Sequence, residues 1–210
     1  MEKEIILSPE ALYYLGSLLQ ANYIDYAYVA AMGDIKQNYA LFEKETRAAL
    51  VSQGILTEDF SGNLEIDPVA QKLLKPVFFG EIETSISVCT TGEHSLVSLC
   101  MFHFHDGIIT SVTMHDGKLL LRSVDSLSIR KQVETLLPLG YSAQEGIVAE
   151  VSPDSIRRII AAKRMVAGAG AAVKTFVEAN GLIYHQLDDQ LETIGADTFV
   201  NFIYSIVKGV

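Results

Sequence analysis

Hydrophobic positions change period twice along this chain. Near the N-terminus Glu4–Leu7 is apolar enough for a short strand. Ser8 follows as a strong N-cap, with Pro9 at the first helical position and Glu10 beside the positive helix end. The helix they introduce carries Leu12, Leu15, Leu18 and Leu19 at helical spacing. Ala21–Tyr39 is rich in tyrosine, and Gly33-Asp34 predicts a break within it. Leu41–Gln53 reads as an amphipathic helix closed by Gly54, a residue suited to a left-handed cap. A Ser-Gly-Asn turn and a short strand follow in Phe60–Ile66. Asp67-Pro68 then starts a helix predicted to stop by Pro76.

From Glu81 to Val124 the period becomes two. Strands are predicted at Glu81–Thr90, Ser95–His105, Ile108–His115 and Lys118–Val124. Asp106-Gly107 and Asp116-Gly117 separate apolar runs by two residues, the signature of a tight hairpin whose central residues both take positive φ. Gly92-Glu93 is a third candidate turn. These turns set the register and therefore the faces. Val97, Leu99, Met101, Val112, Met114, Leu119 and Leu121 share one face, joined by Ile86 and Val88, and form the predicted core. The reverse face carries Leu96, Cys100, Phe102, Phe104, Ile109 and Leu120 among Ser111, Thr113, Lys118 and Arg122. That face is too apolar to stand in water. It is covered by a helix of the same chain, or it binds a partner or a second copy.

Beyond the meander, Asp125–Leu137 reads as a helix, Ile147–Val151 as a strand, Pro153–Val166 and Ala171–Asn180 as helices, Gln190–Ile194 as a strand and Ala196–Val207 as a last helix. This order resembles the N-terminal part of the chain. Ser152-Pro153-Asp154 repeats Ser8-Pro9-Glu10, Gly181-Leu182 repeats Gly54-Ile55, and Leu191-Glu192 repeats Leu64-Glu65. The predicted class is α+β: a pseudo-two-fold repeat of strand-helix-helix-strand-helix units with a four-stranded antiparallel meander inserted after the first copy. A single domain is expected over 1–210, with a first helical unit at 1–80, the meander and its helix at 81–138, and a second helical unit at 139–210.

Charge and composition narrow the function. The chain has 210 residues and a formal net charge of −10, a poor match for phosphate backbones, so nucleic acid is not an expected partner. Leu41–Gln53 has balanced charge, against its use as a DNA-recognition helix. The two cysteines, Cys89 and Cys100, fall in apolar strands and imply neither a disulfide framework nor a reactive thiol. There is no signal-peptide pattern and no apolar run of membrane-spanning length, so a soluble, cytoplasmic protein without membrane insertion is expected.

The chemistry of catalysis is sparse. There is no Gly-x-Ser-x-Gly elbow, and Ala167–Val173 lacks the third glycine and the preceding strand of a phosphate loop. It reads as a joint between two helices. His103 and His105 share one strand face, but metal spacing motifs are absent and His115 lies far along the next strand. No catalytic residue, cofactor or metal is assigned. Arg157 and Arg158, with Lys163 and Arg164, make the one basic cluster. It reads as a solvated helix face or as a dock for an acidic partner.

The layout as a whole resembles the EspG-like proteins of type VII secretion systems, in their short Gram-positive form. The positions carrying the resemblance are Leu50, Gly54, Ile55, Ile66, Leu73, Leu74 and Pro76, together with the element order. The resemblance implies a non-enzymatic cytoplasmic chaperone or adaptor. It would bind a secreted protein substrate, helical or toxin-like, and keep it competent for the secretion ATPase. A family substrate loop would fall near Thr91–His94, where no residue motif matches. The residues put forward for partner binding are Phe102, Phe104, Ile109, Leu120, Arg157 and Arg158. The alternative is a regulatory scaffold that self-associates as a homo-oligomer through the apolar sheet face.

Overall fold

Ser8 starts the first helix as its residue type predicts: its Oγ accepts a hydrogen bond from the Ala11 N–H at 3.1 Å, satisfying one of the helix's unpaired donors. The computed structural model describes residues 4–30, 32, 38–91, 96–187 and 190–209. The Gly33-Asp34 break, the Gly92-Glu93 turn and most of the Thr91–His94 loop lie outside them. The chain is α+β and divides into two compact units, Met1–Glu81 with His103–Ser123, and Ile82–Phe102 with Val124–Val210.

In the first unit, β1 (Glu4–Leu7) leads into α1 (Pro9–Leu18), α2 (Tyr26–Val29) and α3 (Tyr39–Ser52). Gly54, at φ 69°, makes the predicted left-handed cap of α3. A small hairpin of β2 (Leu56–Glu58) and β3 (Leu64–Ile66) precedes α4 (Pro68–Phe79). That helix runs past Pro76, where it was expected to stop. Pro76 lies in the last turn, so only one intrahelical bond is missing, and Pro76 and Phe78 are both buried. The strands of this unit are β1, β7 (Lys118–Ser123), β6 (Ile108–His115) and the His103–His105 end of β5 (Leu96–His105), in that spatial order. Asp106, Gly107, Asp116 and Gly117 all take positive φ, the tight-turn geometry expected of them. Val112 pairs with Leu121 and Met114 with Leu119, the predicted register. Leu12, Leu15, Leu50, Leu74, Leu119 and Leu121 are fully buried and form the core of the unit.

In the second unit the strands run in the order β5, β4 (Ile82–Thr90), β9 (Ile156–Val166), β10 (Gly170–Ala179), β11 (Leu182–Leu187), β12 (Gln190–Thr193) and β8 (Val148–Ala149). Two helices belong here, α5 (Ser126–Glu134) and α6 (Ala196–Lys208). α6 buries Phe199, Val200, Ile203 and Val207, each worth about 1.5–3 kcal/mol against exposure to water. Of the core face predicted for the meander, Ile86, Val88 and Met101 are buried, whereas Val97 is exposed.

The second half of the chain departs from the expected elements. Pro153–Val166 is a single 3-10 turn, Pro153–Ser155, followed by β9, and Ala171–Asn180 is the strand β10. Ala167–Val173 is neither a helix joint nor a phosphate loop. Its Gly168 and Gly170 have positive φ in the hairpin that joins β9 to β10. Asn180-Gly181, at φ 54° and 76°, is a second tight hairpin turn and not a helix end. The predicted strand-helix-helix-strand-helix unit is therefore not what recurs. Two runs share another order. β1 precedes Ser8-Pro9-Glu10, and β4–β7 later end in α5. β8 precedes Ser152-Pro153-Asp154, and β9–β12 end in α6. In each run the early strand pairs with the last strand of the meander, β1 with β7 and β8 with β12.

Candidate partner-binding surface

The basic cluster of the sequence lies on a strand, so alternation splits it between two faces. Arg158, Ile160, Ala162 and Arg164 point to the side covered by α6. There the Phe176 and Phe199 rings meet edge-on at 5.0 Å, and Thr84 Oγ1 donates to the Val207 carbonyl at the helix C-terminus. Arg164 donates to the Ile206 and Val207 carbonyls and so satisfies acceptors that the last turn leaves unpaired. Arg158 pairs with the buried carboxylate of Glu178 and donates to the Leu136 carbonyl just beyond α5. Both arginines thus fix helices to the sheet. Arg158, put forward for partner binding, is committed inside the unit.

The reverse face of β4, β9 and β10 is built of rungs of hydrogen-bonded neighbours. Cys89, Ile159 and Val177 form one rung and Ser87, Ala161 and Thr175 the next. Ser85, Lys163 and Val173 follow, then Glu83, Met165 and Ala171. Thr175 and Lys163 are exposed, Val173 is 54% exposed and Met165 37%. Arg157 stands where the β9–β10 register shifts, and its largely exposed side chain brings Nη1 3.7 Å from Glu178 Oε1. The middle rungs carry Ser, Ala, Thr and Val with the cation Lys163, and Glu83 lies on the last rung. Small side chains let another backbone approach closely.

The apolar residues of the meander have separate fates. Phe102 is fully buried, and its neighbour in alternation, Cys100, accepts a hydrogen bond from Gln132 Nε2 of α5 at 3.0 Å. A helix of the same chain therefore covers this stretch, and Phe102 presents no surface to a partner. Burial also pushes the Cys100 thiol up to about 12, so it stays protonated and inert. In the first unit Phe104, Ile109 and Leu120 are half-buried. Leu120 pairs with Ile6, which is 52% exposed.

The histidines sit apart from any cluster of ligands. His103 is buried and shares a 2.5 Å hydrogen bond with Tyr28 Oη, while His105 Nε2 lies 3.4 Å from Asp106 and its ring beside Phe79. Among the described residues no three His, Cys, Asp or Glu side chains come together as metal ligands. Nor is any described helix long and apolar enough to cross a membrane.

The chain has an EspG-like fold. The Mycobacterium tuberculosis type VII secretion system chaperone EspG5, solved in complex with a PE25–PPE41 dimer, superposes with a TM-score of 0.62. The match covers 98% of this chain and 95% of that one at 12% sequence identity, a likeness of fold. No family model matches the sequence, and no curated protein does.

Proposed function

We propose that this protein is a non-enzymatic chaperone or adaptor of a type VII secretion system, working in the cytoplasm. It would bind a secreted, helical substrate and present it to the secretion ATPase. The observation that carries this reading is the structural match over 98% of the chain to EspG5, a type VII secretion system chaperone held in that structure on a PE25–PPE41 dimer. The rungs of β4, β9 and β10 supply a receiving surface. Ser87, Ala161 and Thr175 give a flat floor on which a helix can lie, and Arg157 and Lys163 offer charge to acidic residues of the substrate.

The test is co-expression with a secreted helical-hairpin protein encoded beside this chain, followed by size-exclusion chromatography. Wild-type protein should elute with its substrate as one complex. Thr175→Arg, which alters an exposed position, should elute alone with an unchanged circular dichroism spectrum. A folded Thr175→Arg that still co-elutes would remove the β4–β9–β10 face from the proposal. A wild-type protein that forms a homo-oligomer and ignores every such substrate would overturn the chaperone reading in favour of a scaffold.

A further inference from the structure

In the first unit β1 lies at the end of the strand order, so one of its edges carries backbone N–H and C=O groups without a strand partner among the described residues. A groove of about 760 Å³ runs along this strand, lined by every residue from Glu4 to Ser8. Consecutive residues line it, not alternate ones, so the strand's edge, and not just one of its faces, is open to the groove. Opposite stands α3, contributing Thr46, Ala49 and Leu50. Ile5 and Leu7, which pair with Leu121 and Leu119, lie on the core-facing side of the strand and give the groove an apolar floor. The rim is acidic. Glu10 and Glu45 have no ion-pair partner among the described residues, Glu4 is held by Arg122, and Lys118 is the one cation of the lining.

We infer that this groove binds an extended segment of a partner protein in which apolar and basic residues alternate, added to β1 as a further strand. An added strand completes the backbone hydrogen bonding of the edge, and its period of two sends apolar side chains toward Ile5 and Ala49 and basic ones to the rim. A second copy of this chain is the poorer occupant, because pairing β1 with β1 would bring two acidic rims together. The inference concerns a different surface from the proposed substrate face and does not rest on the secretion reading.

The probe is a fluorescein-labelled short peptide of alternating valine and lysine, followed by anisotropy on the full chain. The wild type should bind it, and amide exchange at Ile5–Leu7 should slow on binding. The same peptide with glutamate for lysine, or with alternate backbone nitrogens methylated, should bind at least about tenfold more weakly. Ala49→Arg alters an exposed α3 position with a good helix former, and should weaken binding by about tenfold or more. Glu45→Lys should shift preference toward the glutamate peptide. Equal binding of the methylated peptide would reduce the effect to unspecific charge attraction and overturn the inference. So would unchanged exchange at β1, or a dimer in solution that Ala49→Arg dissolves.

Discussion

Tyr28 Oη lies 2.5 Å from His103 Nε2, joining α2 to β5 across 75 residues of sequence in the interior of the first unit. Burial is the main influence on His103 and the nearby Asp25 carboxylate a lesser, opposing one; together they place its pKa at about 4 in the folded protein. The unfolded chain keeps the ordinary histidine value near 6.5. The folded state thus prefers neutral His103 and the unfolded chain takes up the proton first. This contribution to stability is complete above about pH 6.5 and is lost as pH falls through the window to about 4. The loss over that window is on the order of 3 kcal/mol. Urea denaturation across this range should show the decline, and His103→Phe should flatten it. Tyr28→Phe, at neutral pH, should cost about 1–2 kcal/mol through the lost hydrogen bond.

Phe102 is a packing residue, and its replacement should be read as such. Phe102→Asp places a charge where no water reaches and should prevent cooperative folding, whereas Phe102→Leu should lower stability by about 1–3 kcal/mol and leave partner binding intact. Thermal unfolding followed by circular dichroism separates the two. A folded Phe102→Asp would contradict the burial.

Glu178 depends on Arg158. Arg158→Ala leaves the buried carboxylate with only the exposed Arg157 nearby, and should destabilise the protein by about 3–5 kcal/mol. Arg157→Ala should cost well under 1 kcal/mol, as expected of an exposed partner. Chemical denaturation of the two variants tests this difference. Equal effects would mean that the two arginines share the role.

The two thiols should differ in reactivity. Cys89 is partly exposed on the rung of Ile159 and Val177, and Cys100 is buried against Gln132. A maleimide added to native protein should label Cys89 alone, and a bulky adduct there should interfere with substrate binding. Labelling of Cys100 at a comparable rate would contradict its burial and raised pKa.

The meander was legible because Asp-Gly turns and strict alternation agree in Glu81–Val124. The second half was not, although Asn180-Gly181 carries the same turn chemistry as Asp106-Gly107. Three features hid its strands. Ile156, Ile159 and Ile160 match helical spacing by coincidence. Ala161 and Ala162 blur the period of two by standing on both faces. Arg158 and Arg164 are placed on the covered side, where a pattern of apolar residues would be sought. β9 tolerates those arginines because Glu178 and the carbonyls at the end of α6 receive them. That pairing is tertiary, and only the fold brings it together. The candidate surface was obscured for the same reason: Arg158 and Lys163 read as one cluster until alternation sends them to opposite sides.

Hydrogen–deuterium exchange on the complex with a co-expressed secreted substrate tests the central claim most directly. Substrate binding should slow exchange in β9 and β10 around Ala161, Lys163 and Thr175, leaving the α6 amides unchanged. Protection confined to other elements, or no protection in a complex of defined stoichiometry, would contradict the assignment of this sheet face as the substrate-binding surface.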